Sequence, residues 1–183
     1  MHLSRALLAL SALGLALAGC GGGDRVSGPP PAAPDRITVT SPAFRDGGTI
    51  PKRYSCDGKQ VSPPLRWRGV PPDARELALL VEDPDASGGT FVHWVLFKLP
   101  PSLNGLAEGK VPNGARQGEN SAGKSAWAGP CPPGGDAPHH YEFTLYALRT
   151  PLDQPDGAAA DAVRSAVAHS ALARGQLVGR FGR

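Results

Sequence analysis

Residues 76–100 read ELALLVEDPDASGGTFVHWVLFKLP, and their pattern decides the fold. Two apolar runs flank a compact polar turn. Leu77 to Val81 is short, wholly apolar and bounded by charge, as a buried strand is. Phe91 to Leu99 reads as a second strand. Strict alternation puts Val92, Trp94, Leu96 and Lys98 on one side of it and Phe91, His93, Val95, Phe97 and Leu99 on the other. Between the runs sit Asp83, Pro84 and Asp85. A proline between two acids cannot join a central ladder, so the acids belong to a rigid strand-end loop. A second unit of this kind follows at 127–148, WAGPCPPGGDAPHHYEFTLYAL, where a Gly/Pro loop leads into His139, His140 and Tyr141 and then a strand. The two loops are expected to meet at one end of a sheet and build a small polar pocket.

Outward from this stretch, Ile37–Thr40 reads as a first strand and Ile50–Tyr54 as extended chain. A short strand begins near Leu65, and Asp46-Gly47-Gly48, Cys56-Asp57-Gly58 and Val70–Asp73 read as turns. Residues 101–129 lack periodicity and carry six glycines; an irregular segment of that length is often functional, and it is expected to supply part of the pocket rim. Tyr141–Leu148 alternates as a core strand. Ala158–Ala173 is the one helical pattern, with Val163, Val167 and Ala171 on one stripe, Asp156 before it and Gly175 ending it. Gln176–Phe181 reads as a last short strand. About seven strands and one helix, without a βαβ rhythm, make a mainly antiparallel β domain with a C-terminal helix.

The start of the chain is separate. Residues 1–19 form a secretory signal peptide, with an apolar stretch too short for a committed membrane span. Leu17-Ala18-Gly19-Cys20 resembles a bacterial lipoprotein cleavage box, which implies that Cys20 becomes the first residue of the mature chain and carries acyl chains such as palmitate. Residues 20–36, Gly- and Pro-rich, read as a flexible linker holding the folded domain, residues 37–183, off a membrane. Export places the protein in the bacterial cell envelope, facing the periplasm or the exterior. Loss of residues 1–19 leaves 18 basic against 16 acidic residues, scattered rather than striped, so charge offers no argument for nucleic acid. In an oxidising compartment Cys56 and Cys131 most often pair as a disulfide; a redox or metal pair is the alternative, without a C-x-x-C spacing to support it.

Several segments in order resemble the phosphatidylethanolamine-binding protein family, also called Raf kinase inhibitor proteins, in its bacterial branch. They are Asp83-Pro84-Asp85-Ala86, His93-Trp94, Gly129-Pro130-Cys131-Pro132-Pro133 and His139-His140-Tyr141. Ser62-Pro63-Pro64-Leu65-Arg66-Trp67 and Gly118-Glu119-Asn120-Ser121 support them. The resemblance implies an antiparallel β-sandwich of a large and a small sheet. It also implies a ligand pocket built from Asp83, Asp85, His93, Gly129, Pro130, His139 and Tyr141, for phosphate, phosphorylated small molecules or phospholipid headgroups. Some relatives inhibit kinases or proteases, so a regulatory role on a protein partner is the second reading. Two departures stand out: Ser87 replaces the last proline of the first motif, and His140 replaces the arginine of the last.

The residues carry their own argument. Carboxylates repel phosphate, so Asp83 and Asp85 serve an anion only by orienting donors or by receiving an ammonium. His93 and His139 are the natural donors, and a neighbouring carboxylate is expected to raise their pKa and to favour phosphate below about pH 7. The Tyr141 hydroxyl and backbone N–H groups of 118–129 complete the cradle. Alternation leaves His140 outside it. Trp67 and Trp94 read as core, and Trp127 as a candidate wall. No H-E-x-x-H or G-x-S-x-G is present, and nothing gives Ser121 or Ser125 a base. The expectation is a binding protein rather than an enzyme, with no cofactor and no metal.

Overall fold

The computed structural model describes residues 25–183; the signal peptide and Cys20 lie outside the described residues. A six-stranded sheet is ordered β2 (Gly48–Thr49), β9 (Ala171–Phe181), β8 (His139–Leu148), β4 (Glu76–Asp83), β5 (Phe91–Leu99) and β7 (Arg116–Gln117). A three-stranded sheet of β1 (Thr38–Thr40), β3 (Leu65–Arg68) and β6 (Gly105–Leu106) packs on one face of it. Pairing is antiparallel except where β2 runs parallel to β9. This is the expected mainly β sandwich of a large and a small sheet. The helix α1 (Ala160–Ser170) covers the other face of the large sheet with Val163 and Val167. Covered on both sides, β4 is buried at every position, which is why its sequence is a continuous apolar run.

Three local expectations are corrected. Residues 52–54 form a 3-10 turn rather than extended chain. The helix stops at Ser170, and 171–181 is one long strand paired along the whole of β8. Alanine-rich 171–173 has high helix propensity, but pairing of Ala171 with Leu148 and Ala173 with Ala147 overrides it. Gly175 therefore does not end a helix. It lies within β9, where a Cβ would stand 2.0 Å from the Ile37 carbonyl oxygen. Asp156 sits in the turn before the helix, where its Oδ1 accepts from the Gln117 N–H.

Strict alternation also fails along β5. Val81 pairs with Trp94 but Glu82 with Val92, so His93 is the extra residue of a bulge. A second shift between Leu77↔Leu99 and Leu79↔Leu96 brackets Lys98, whose φ is +59°. As a result Trp94, Leu96 and Leu99 face the sandwich core, while Val92, Val95 and Phe97 face the helix side.

The chain read as linker is packed from Val26 onward. Val26 is buried and bridges Thr90, and Asp35 bridges Arg174. Residues 25–36 are thus a strap along the helix side of the large sheet.

Candidate functional site

Antiparallel pairing of β4 with both β5 and β8 brings the end of β4 to the starts of the other two. Asp83 pairs with Phe91, and Glu82 with Glu142, so Asp83 lies between the His93 and His139–Tyr141 strand starts. The loop 128–133 closes the side, held by the Cys56–Cys131 disulfide with Cα atoms 5.4 Å apart. The expected pairing of these cysteines is thus observed. Gly129 makes the closure possible: a Cβ there would stand 2.7 Å from the Tyr54 carbonyl oxygen.

A cavity of about 390 Å³ results, with Asp83, His93, Gly129 and His139 in its lining. Asp83 is 3% exposed. Its Oδ2 lies 2.8 Å from His139 Nδ1 and 4.0 Å from His93 Nε2. Its Oδ1 accepts from the Asp85 N–H at 2.9 Å. The carboxylate is occupied with its neighbours, as the charge argument requires.

His93 departs from the expectation of a raised pKa. Burial pushes the imidazole down to about 4, against the bond to Ala128 and the charge of Asp83. Its Nδ1 is 2.7 Å from the Ala128 carbonyl oxygen, so the neutral ring carries its proton there and presents Nε2 as an acceptor. That Nε2 is buried with no protein partner. The Tyr141 hydroxyl is likewise buried and unpartnered, and the two rings meet edge-on at 5.1 Å. Burial, with Asp83 and Asp85 adding to it, holds the Tyr141 phenol protonated well above its usual range, so it is a donor.

The remaining expected residues stand further back. Asp85 does not line the cavity; its Oδ2 takes both the N–H and Nδ1 of His140 at 2.7 Å. Burial raises the Asp85 carboxyl, but the His140 bonds outweigh it and the net shift is downward. His140 thus supplies the partner that an arginine could have been, outside the pocket as expected. Pro130 is buried, and its carbonyl receives the Cys56 N–H at 3.0 Å. Trp127 is not a wall; it stacks on Phe143 at 6.0 Å behind His93. Of the irregular segment 101–129, only Ala128 and Gly129 reach the cavity lining; further back, Ser121 Oγ accepts the Val92 N–H at 2.9 Å, and Asn120 holds the turn through Ala122, Lys124 and Ala126.

Sequence reasoning missed Arg25, Gln60 and Phe91, which also line the cavity. The sequence pattern places Arg25 in the linker. Its neighbour Val26 is the lone aliphatic residue between Cys20 and Ala32, and was the available signal that the segment docks.

The protein family described as phosphatidylethanolamine-binding protein matches residues 40–182. The chain belongs to that family. It is 43% identical to a Mycobacterium tuberculosis protein that carries the lipoprotein name LppC, over 93% of this chain and 92% of LppC. It is 46% identical to a UPF0098 protein of Methanothermobacter thermautotrophicus, over 80% of this chain and 99% of the other. Among solved structures, the phosphatidylethanolamine-binding protein homologue CT736 of Chlamydia trachomatis superposes with a TM-score of 0.76 at 38% identity, covering 81% of this chain and 99% of CT736. Escherichia coli YbcL, described as a member of the mammalian family, superposes with a TM-score of 0.77 at 30% identity, with the same coverage. The family is one of binding proteins rather than enzymes, and its fold is consistent with binding of anions and phosphoesters. Among the described residues, no group of three or more His, Cys, Asp and Glu side chains could hold a metal. No helix among them is long and apolar enough to cross a membrane.

The depressed His93 pKa makes stability depend on pH. Above about 6.5 the ring is neutral in both folded and unfolded chains. Between 6.5 and about 4 only the unfolded chain takes the proton, so stability falls as pH drops through that window, by about 3 kcal/mol in total. Urea denaturation at pH 7 and pH 4 should show this loss in the native chain in excess of that in His93→Asn. Parallel pH profiles for the two proteins would refute it.

Proposed function

We propose that the chain is a lipid-anchored binding protein whose pocket takes a phosphoryl group, as phosphate, a phosphorylated small molecule or a phospholipid headgroup. One observation carries this reading: the buried, unpartnered His93 Nε2 shares one cavity with an Asp83–His139 pair and Arg25, and the equally unpartnered Tyr141 hydroxyl lies just outside the lining on a ring packed against His93. Buried polar atoms in folded proteins are nearly always satisfied, so these await a ligand or ordered water. A phosphoryl oxygen accepts from Tyr141. The same group must bring a proton to His93 Nε2: a monoester brings its own P–OH, whereas an anion lacking one raises the His93 pKa and draws a proton from solvent. The name of LppC and the disulfide support a location outside the cytoplasm.

Titration calorimetry of phosphoethanolamine into Cys20→Ser chain starting at residue 20 tests the pocket. Binding should strengthen as pH falls from 7 toward 5. Tyr141→Phe and His93→Asn should each weaken it roughly tenfold, as loss of a hydrogen bond to a charged group does. Unchanged affinity in both variants would remove the pocket from consideration.

A further inference from the structure

The strap ends at the pocket. Arg164 on α1 donates to the carbonyl oxygens of Ser27, Gly28 and Pro29 at 3.2–3.4 Å. Val26 lies buried next in line, its N–H bonded to the Thr90 carbonyl at 3.3 Å. Arg25 follows, with Cζ 4.6 Å over the Phe91 ring. Arg25 is the one lysine or arginine in the cavity lining, and its Nη1 is buried without a protein partner. Its charge reaches His93, where it helps keep the proton off.

Only Gly21-Gly22-Gly23-Asp24 separate Cys20 from Arg25. Extended chain spans about 3.5 Å per residue, so Arg25 sits at most about 18 Å from the Cys20 backbone. A free spacer reaching to residue 36 would have allowed about 60 Å. β5 starts at the pocket and runs nine residues, so the far end of the sheet is about 30 Å away. Acyl chains on Cys20 therefore tether the pocket end of the domain and leave the far end free.

We propose that the pocket works at the surface of the membrane holding those acyl chains, and that Arg25 is the strap's own contact to a phosphoryl headgroup in that leaflet. The proposal rests on the phosphoryl reading of the pocket and on acylation of Cys20. A guanidinium forks onto phosphate oxygens, and Arg25 offers a fixed charge where Asp83 alone would repel. Confinement to the leaflet also presents headgroups at high effective concentration, which a soluble phosphate lacks.

The full acylated chain in vesicles of phosphatidylethanolamine and phosphatidylglycerol tests this. Spin labels at Ser87→Cys, on the exposed pocket rim, and at Ser102→Cys, in the exposed turn after β5, report access of a water-soluble relaxation agent. Access should be several-fold lower at the rim than at the far turn. Inserting about twenty Gly/Ser residues between Gly23 and Asp24 should abolish the difference by slackening the tether. Arg25→Gln should weaken phosphoethanolamine binding roughly tenfold. Equal access at both labels, or failure of the chain to stay on vesicles, overturns the membrane placement; unchanged affinity in Arg25→Gln overturns the contact. Titration of phosphoethanolamine into the same chain in detergent separates the two readings. Binding there with equal label access defeats the membrane proposal alone, whereas no binding defeats the pocket itself.

Discussion

Replacing Cys56 and Cys131 together by serine is expected to lower stability by about 4 kcal/mol, because the bridge closes a loop of 75 residues. A cross-link of that span removes many conformations from the unfolded chain and few from the folded one. The folded sandwich does not need it: the large sheet, the small sheet and their shared core form without either sulfur. What the bridge holds is the pocket wall, since Cys56 and Cys131 both line the cavity. Two weaker fastenings remain without it, the Cys56 N–H to the Pro130 carbonyl at 3.0 Å and Trp127 Nε1 to the Tyr54 carbonyl at 3.3 Å. The variant should therefore fold and bind phosphate more weakly. In urea, the transition midpoint should fall and the slope should rise, because an uncrosslinked unfolded chain exposes more surface. A loss below about 1 kcal/mol would contradict the loop-closure argument.

Arg164→Met should cost a further and independent 3–5 kcal/mol or so, as removal of one partner from a buried ion pair does. Arg164 Nε is 2.8 Å from Glu82 Oε1, with the side chains 7% and 3% exposed. The two atoms are close but not aligned as a hydrogen bond, so the attraction is chiefly electrostatic. Burial already pushes the Glu82 carboxyl upward, and Arg164 is the main influence holding it down. Without the arginine, Glu82 is a buried anion lacking its counter-charge. Its cheapest escape is to take a proton, so the cost of Arg164→Met should shrink as pH falls. Adding Glu82→Gln to Arg164→Met should recover much of the loss. The strap should loosen in either variant, because the carbonyls of Ser27, Gly28 and Pro29 lose their donor. Urea denaturation at pH 7 and pH 5, with hydrogen exchange at Val26, reads both effects. Equal cost at the two pH values would show that Glu82 is not the group left stranded.

Much of the site was legible from residue types and order. Asp83, His93 and His139 do converge, although Asp83 and His139 lie 56 positions apart, because hairpins and antiparallel returns bring strand ends to one edge. Asp85 and His140 illustrate where legibility stops. Sequence assigned Asp85 to the pocket with Asp83, yet the strand ends at Asp83 and the next acid turns outward onto His140. The protonation of His93 was not legible either. A neighbouring carboxylate was visible and argued for a raised pKa, but the depth of burial was not, and burial dominates.

The amino-acid sequence by itself determined the β-rich class, the positions of β4, β5 and β8, and the acid–histidine edge, and it favoured a Cys56–Cys131 pair over its alternatives. Those depend on local period, turn chemistry and residue type, which neighbours in the chain express. Tertiary structure alone decided that Ala171–Ala173 is strand, that bulges at His93 and Lys98 exchange faces of β5, and that Arg25 belongs to the pocket. Each of these outcomes comes from contacts between segments far apart in the chain. Pairing with β8, a register shift against β4 and a strap seated by Arg164 each outweigh the local preference of the residues concerned.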